Sequence, residues 1–385
     1  MRFADNRNKI GKYIPAVVFL IFIYGMALWF IFSPKPDYSS SEKRYLQKFP
    51  EVTAEKLLSG DFGSEFETFF ADRFPQRNTW VGLNAYTALA EGNNGASGVY
   101  NCKNGYLINK PVSTENNLDK NIGAVADFAK SIDTPTTVML VPSTGYIVDD
   151  VLPTFHDKYN DDEDISKISS TLSKNKIGFV DLRERFKSEY KNGSQLYYKT
   201  DHHWTTKGAY TGYQELCKAL GITPIDDSTL KKDSYPDFYG TTYSSSGFWL
   251  TPPDNIEIWN NPKNSDRNIS VKITEGANIK TSGSTYFTDH LKEDDKYPVF
   301  IDGNHALTEI TNTNAKNGTI LLIKDSFSHS LAPFLAENYS KVVLVDLRYY
   351  KESVSDLVTT YNPEQVVVLY GIDNLATDTD IVWLK

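Results

Sequence analysis

An acid stands two residues before an imidazole in Tyr198-Lys199-Thr200-Asp201-His202-His203-Trp204-Thr205. In extended chain, alternate residues share a face, so Asp201 and His203 are expected on one side and His202 on the other. An acid so placed can fix the tautomer of an imidazole and stabilise its protonated form, as in a hydrolytic triad. The missing third member is an exposed hydroxyl at a strand end. The stretch Ile320-Leu321-Leu322-Ile323-Lys324-Asp325-Ser326-Phe327-Ser328 offers one in Ser326. At a strand-to-helix turn its hydroxyl and its own N–H can face one substrate atom, and an Asn side chain can add a second oxyanion donor. Ser326, His203 and Asp201 are therefore the expected nucleophile, base and orienting acid.

Each residue also has a plainer reading. A serine after a buried strand is most often a helix N-cap, and Asp325 could fill that place too. A single His203 is more often a satisfied structural histidine. Ser143, in Val141-Pro142-Ser143, is a rival nucleophile at another strand end. Asp201, His202 and His203 could instead ligate a metal. Adjacent histidines in extended chain point apart, however, and no second histidine cluster accompanies them, so neither metal nor cofactor is expected.

The elements that must position these residues follow from pattern. From about residue 115, helices alternate with short apolar strands. Helices are expected over 116–131, 164–176, 205–220, 331–338 and 352–361, with strands over 137–141, 177–182, 319–324, 341–347 and 365–370. That alternation argues an α/β fold with a parallel sheet covered by helices on both faces, and ligands then bind beyond the carboxyl ends of the strands. Ser143, Ser326, Arg348 and the run Gly371-Ile372-Asp373-Asn374 all fall at that end. Residues 222–318, rich in Ser, Thr, Asn, Asp and Tyr, read as an irregular or β insertion without a clear helix, suited to a substrate surface. Before the α/β part, 42–114 reads as an extension: helix over 42–90, then a short hairpin turning at Asn104-Gly105. Phe62, Phe66, Phe69, Phe70 and Phe74 recur at helical spacing, an apolar stripe expected to pack on the main domain.

Residues 1–12 are basic, and 13–32 form an uncharged apolar run followed by a Pro/Ser linker over 33–41. About 20 apolar residues span a bilayer core of about 30 Å. Arg2, Arg7, Lys9 and Lys12 before the run place the N-terminus in the cytoplasm and 42–385 outside. The run is long for a signal peptide and no small-residue cleavage site follows it, so an uncleaved single-pass anchor is the expectation. A net charge of −9 leaves no broad basic footprint for nucleic acid. The two cysteines, Cys102 and Cys217, have neither metal-ligand nor redox-motif spacing and are left unpaired.

Thr200-Asp201-His202-His203-Trp204-Thr205 resembles the signature of the DHHW family, which is related to the alginate O-acetyltransferase periplasmic proteins. Glu42-x-Arg44-x-Leu46, Asp72-Arg73-Phe74-Pro75-x-Arg77, Val141-Pro142-Ser143, Phe238-x-Gly240-Thr241, Lys324-Asp325-Ser326-Phe327 and Asp346-Leu347-Arg348-Tyr349-Tyr350 carry the likeness along the chain. The resemblance implies an SGNH-hydrolase-like fold, circularly permuted because the acid–histidine pair precedes the serine, and Asp201, His203 and Ser326 match the family triad. Gly371-Ile372-Asp373-Asn374 is similar to the Gly-x-Asn-Asp block that supplies an oxyanion asparagine. Here the last two residues are inverted, which leaves Asn374 and Asn304 as alternatives. Arg348 either positions a substrate or pairs with an acid. The implied function is O-acyl transfer, most readily of acetyl, to a cell-surface or secreted polysaccharide, beside a membrane-bound O-acyltransferase partner. The same residues suit an O-acetyl esterase, and a non-catalytic glycan-binding or scaffold role is the alternative of another class.

Overall fold

A 31-residue helix, α1 (Arg2–Phe32), opens the chain. Its part from Lys12 to Phe32 is, among the described residues, the one helix long and apolar enough to cross a membrane. The computed structural model describes residues 2–112, 117–264 and 268–384. They fall into two units that divide between Tyr86 and Thr87.

In the first unit, helix does not begin at residue 42 as expected. The short strands β1 (Tyr38–Ser39) and β2 (Arg44–Tyr45) pair antiparallel around a turn in which Lys43 has φ 51°. Long-range pairing overrides local propensity here, because Arg44 reaches both oxygens of Asp72, at 2.9 and 2.5 Å. Helices α2 (Ala54–Ser59), α3 (Asp61–Asp72) and α4 (Arg77–Ala90) follow, the unit boundary falling inside α4. The phenylalanine stripe of α3 finds partners within this unit: Phe49 meets Phe62, Phe66 and Phe69, and Phe30 meets Phe69 and Phe70.

The second unit begins with a small meander, β3 (Gly95–Ala96), β4 (Val99–Asn101) and β5 (Leu107–Asn109). Its turn is the expected one, with Asn104 at φ 59° and Gly105 at φ 79°, the left-handed pair that asparagine and glycine tolerate. Next come α5 (Leu118–Ser131), β6 (Thr136–Val141), α6 (Thr144–Ile147), α7 (Asp161–Lys174), β7 (Gly178–Asp181), α8 (Arg183–Lys191) and α9 (Thr206–Leu220). The expected helix start at Asn116 lies outside the described residues. The Thr205 hydroxyl caps α9 by accepting the Gly208 N–H.

The stretch expected to be irregular or β holds β8 (Lys231–Phe238), β9 (Asp254–Asn260), β10 (Ile269–Glu275), β11 (Asn278–Ser282) and β12 (Leu307–Asn312), and also an unexpected short helix, α10 (Thr241–Ser246). The chain closes with β13 (Asn317–Lys324), α11 (Ser328–Leu335), β14 (Tyr339–Val345), α12 (Val354–Tyr361), β15 (Gln365–Gly371) and α13 (Ile372–Thr377).

The central sheet runs β11-β10-β12-β14-β13-β15-β6-β7. The five strands from β14 to β7 are parallel, as the alternating pattern predicts. Strands β12, β10 and β11 extend it antiparallel, so the sheet is mixed. Their apolar residues alternate with charged ones, as in Ile269, Val271 and Ile273 against Lys272, which marks strands buried on one face only. In the middle, Ile320 and Leu322 of β13 join one core with Val367, Leu369 and residues of α9 and α11. Leu321 and Ile323 join the opposite core with Val366, Val368 and residues of α5, α7 and α12. Helices therefore cover both faces.

Leu322 is fully buried in the central strand β13, so Leu322→Ala is expected to cost about 2–5 kcal/mol in urea unfolding. Ile279→Ala, on the edge strand β11 where the side chain is 62% exposed, should stay within about 0.5 kcal/mol.

Candidate active site

The segment bearing Asp201 and His203 is a narrow loop rather than the extended run its spacing suggests. Tyr197 and Trp204 form an antiparallel bridge, the Thr205 N–H donates to Leu196 O, and the Tyr198 N–H donates to His203 O. At the tip the chain bends: Asp201 Oδ1 accepts the His203 backbone N–H at 2.8 Å, an Asx turn. That bend, and not a pleat, puts the two side chains together. It also moves His202 from its expected place on the far side. Its ring centroid lies 3.9 Å from that of His203, and its Nδ1 is 2.6 Å from Thr241 Oγ1.

Three residues far along the chain hold this loop. Asp254, at the start of β9, accepts from Thr200 N and Oγ1, both at 2.7 Å, and from Lys199 N and Gln195 Nε2, both at 3.0 Å. The Trp204 indole N–H donates to Phe327 O at 3.0 Å and to Ser330 Oγ at 2.8 Å, tying the loop to the turn after β13.

On that turn, Ser326 Oγ lies 2.6 Å from His203 Nε2, and His203 Nδ1 lies 2.5 Å from Asp201 Oδ1. Because an ionised carboxylate only accepts, Nδ1 carries the proton and Nε2 is left to accept from the serine hydroxyl. Asp201 Oδ2 takes the Thr241 N–H at 2.6 Å and the Thr241 hydroxyl at 3.1 Å. Burial alone would raise the Asp201 carboxyl. The facing His203 and His202 imidazoles and the Thr241 N–H outweigh it and hold the group well below the usual range. Desolvation, with His203 and Arg348 nearby, pushes the His202 imidazole down to about 4, so it is neutral at pH 7.

Tyr297 stacks flat on His203, centroids 4.0 Å apart, and its hydroxyl donates to Ser326 O at 3.2 Å. Ser326 itself is 8% exposed, at the rim of this packing. Donor atoms of Asp201, His202 and His203 converge within 4.8 Å. Both His203 nitrogens already face Ser326 and Asp201, so a metal on them would displace those hydrogen bonds.

The nucleophile turn has its own braces. Asp325 accepts the Phe327 N–H at 2.9 Å, the Gly371 N–H at 2.7 Å and the Asn374 side-chain amide at 2.7 Å. Asn374 thus holds Asp325, beside Ser326. Arg348 makes a two-pronged pair with Asp346, at 2.9 and 2.7 Å, and donates to Asn304 Oδ1 at 2.9 Å. Lys324, one residue before Asp325 and fully buried, donates to Asp346 at 2.9 Å and to His329 Nε2 at 2.8 Å.

Beside the turn a cleft is lined by Ser143, Thr144, Tyr159, His202, Phe327, Asp373 and Asn374, among others. The Ser143 hydroxyl donates to Asp373 at 3.0 Å rather than to an imidazole, and its N–H donates to Asp161 at 2.7 Å. Burial raises both carboxyls, to about 7 for Asp161 and about 6 for Asp373. Cys102 and Cys217 are free, buried thiols.

Asp254, Tyr297 and the Gly240–Thr241 contact with Asp201 are site parts that no spacing in the sequence announces. Only the Phe238-x-Gly240-Thr241 block pointed near them. A Cβ on Gly240 would overlap Asp201 Cβ and Oδ2, which is why glycine stands there.

A family model described as DHHW protein matches residues 109–345, more than half of the chain. No curated protein matches. Among solved structures, a DHHW family protein from Eubacterium siraeum is 16% identical, with a TM-score of 0.63, covering 75% of this chain and 95% of its own. Bacillus cereus PatB1, solved with a sulfonyl adduct, is 19% identical, with a TM-score of 0.60, covering 74% and 97%. A second PatB1 structure is 20% identical, with a TM-score of 0.59, covering 73% and 98%. These likenesses extend to the fold, an SGNH-hydrolase-like α/β sheet.

Gly240→Ala is expected to push Asp201 away from Thr241 while leaving the cores intact. Far-ultraviolet circular dichroism should be unchanged and the reactivity of Ser326 toward acylating reagents should fall by about 10²-fold or more. A second expectation concerns pH. Asp161 has its folded pKa raised from 3.8 to about 7, so its ionisation lowers stability progressively from pH 4 to 7 and the loss levels off above that. Asp161→Asn keeps an oxygen for the Ser143 N–H, and in urea unfolding its stabilising effect should be absent at pH 4, grow to pH 7 and then plateau.

Proposed function

The chain belongs to the DHHW family, and from that premise we propose that it is a membrane-anchored, extracellular O-acyltransferase, acting most readily with acetyl on a cell-surface or secreted polysaccharide. The observation that carries the reading is the continuous hydrogen-bonded path from Ser326 Oγ through His203 to Asp201, at 2.6 and 2.5 Å. A binding or scaffold protein has no use for a serine hydroxyl aimed at an imidazole whose other nitrogen is fixed by a buried carboxylate.

In this reading Ser326 Oγ attacks the acyl carbonyl carbon while His203 Nε2 takes its proton. The Ser326 N–H, which has no hydrogen-bond acceptor among the described residues, is placed to receive the developing oxyanion. His203 then returns the proton to the departing oxygen, leaving the acyl group as an ester on Ser326. In the second half His203 removes the proton of an acceptor hydroxyl, whose oxygen attacks the ester carbonyl, and His203 gives that proton to Ser326 Oγ as the ester bond breaks. Asp201 stays ionised throughout and stabilises the imidazolium. Asn374 acts by keeping Asp325 and the turn in place, and Arg348 with Asn304 forms an edge where substrate could be positioned.

An anchor through α1 would hold the site near a membrane-bound O-acyltransferase that supplies the acyl group. Sugar hydroxyl or water as the second nucleophile separates transferase from esterase. The adduct on PatB1 supports the use of electrophilic probes on this chain as well.

The test is 4-nitrophenyl acetate on the full chain in detergent, followed by intact mass. One acetyl per chain is expected, with the rate reduced by about 10⁴-fold in Ser326→Ala and in His203→Ala. Adding a glycan should move the acetyl to it rather than release acetate. Equal acetylation of folded Ser326→Ala would overturn the nucleophile. Acylation without any transfer would leave esterase as the activity. No acylation at all would leave the scaffold reading.

A further inference from the structure

Two motifs outside the triad converge at the exit of α1. Arg73 is nearly buried. It donates to Lys35 O at 2.7 Å, to Asp37 Oδ1 at 3.0 Å and to Gln47 O at 3.0 Å. Next to it Asp72 accepts from Arg44 and from the Gln47 N–H, and Arg77 pairs with Glu42 at 3.2 Å. The segment after the membrane helix, expected to be a plain linker, is therefore clamped to the end of α3. Such a clamp stops α3 from swinging away from α1.

The rings show where that clamp holds α3. Phe30 lies two residues before the end of α1, about 3 Å along a helix axis. It meets Phe70 at 4.7 Å and Phe69 at 6.2 Å. If residues 13–32 cross the bilayer, these rings sit at the boundary of its hydrocarbon core. From there the aromatic run continues through Phe66 and Phe49 on one side and through Phe74 to Trp80 on the other. Several of these rings stay open within their own unit: Phe49 is 57% exposed, Phe66 41%, Phe70 42% and Trp80 43%. Exposed aromatic surface of that extent calls for an apolar covering. The opposite side of α3 is polar, carrying Ser64 and Thr68.

We propose that this face of α3, with Phe49, Phe66, Phe70 and Trp80, is seated in the outer interfacial layer of the lipid bilayer. It rests on the reading of α1 as a retained membrane anchor. Tryptophan favours the headgroup region, and an amphipathic helix lies there with Trp, Phe or Leu on the face turned toward the acyl chains. The unit is thus a platform fixed to the membrane surface rather than a flexible tether.

The experiment is spin labelling of the full chain in vesicles of phosphatidylcholine and phosphatidylglycerol. Single cysteines replace Ile21, Ser64, Phe66 or Phe70, and collision with oxygen is compared with collision with a polar nickel chelate. The native Cys102 and Cys217 thiols are buried and raised to about 12, so they remain unlabelled. The expected result is an oxygen-to-nickel ratio at Phe66 and Phe70 below that at Ile21, which lies near the middle of the span, and severalfold above that at Ser64. Nickel-dominated collisions at 66 and 70 with oxygen dominant at 21 would overturn the proposal while leaving the anchor. Nickel dominance at all four positions would overturn both.

Discussion

A carboxylate taken out of water costs several kcal/mol unless donors surround it, and the site depends on meeting that cost at Asp201. Asp201 is 2% exposed, and its two oxygens receive four donors: the backbone and ring of His203, and the backbone and hydroxyl of Thr241. Each donor also fixes geometry. The His203 N–H forces the bend, the ring N–H sets the tautomer, and Thr241 comes close only because Gly240 has no side chain. The same arrangement that keeps the acid ionised therefore aims His203 Nε2 at Ser326.

A second buried charge set lies behind the nucleophile. Asp346 sits between Lys324 and Arg348, and burial lowers Lys324 while the two cations hold Asp346 down despite its own burial. His329 accepts from Lys324 at Nε2, so its proton is on Nδ1, which has no partner among the described residues. Desolvation first, then the Lys324 charge, keeps that imidazole neutral, well below the usual range. With Asp325 braced by Gly371 and Asn374, Ser326 stands on a turn that follows β13 and is tied to the end of β15 and to α13. Pre-organisation of this kind reduces the reorganisation needed when charge develops at the hydroxyl.

What sequence pattern reveals here follows the range of the forces involved. The buried run before Ser326 and the Thr205 cap are local, and β13 and the start of α9 fall where apolar spacing and capping chemistry put them, whereas α11 has no side-chain cap and starts at Ser328, ahead of the expected 331. The alternation from β6 to β15 likewise reveals the parallel part of the sheet. Asp254, Tyr297 and Thr241 reach the loop from tens of residues away, and no periodicity announces such contacts. The Arg44–Asp72 pair is equally distant and turns an expected helix start into two short strands. Strand structure between 222 and 318 is legible, but that β10, β11 and β12 extend the central sheet is not, because the join is a pairing of β12 with the distant β14. His202 departs from its expected side for a different reason: period-two alternation holds for a pleated strand, and an Asx turn breaks it.

The most direct measurement is site mapping with a small sulfonyl fluoride, which reacts only with a nucleophile activated in place. The full chain is treated at pH 7.5, digested, and its modified peptide sequenced by mass spectrometry. The account predicts one adduct, on Ser326, suppressed when His203 is replaced by alanine. A folded chain that stays unmodified, or carries its adduct on Ser143, would contradict it.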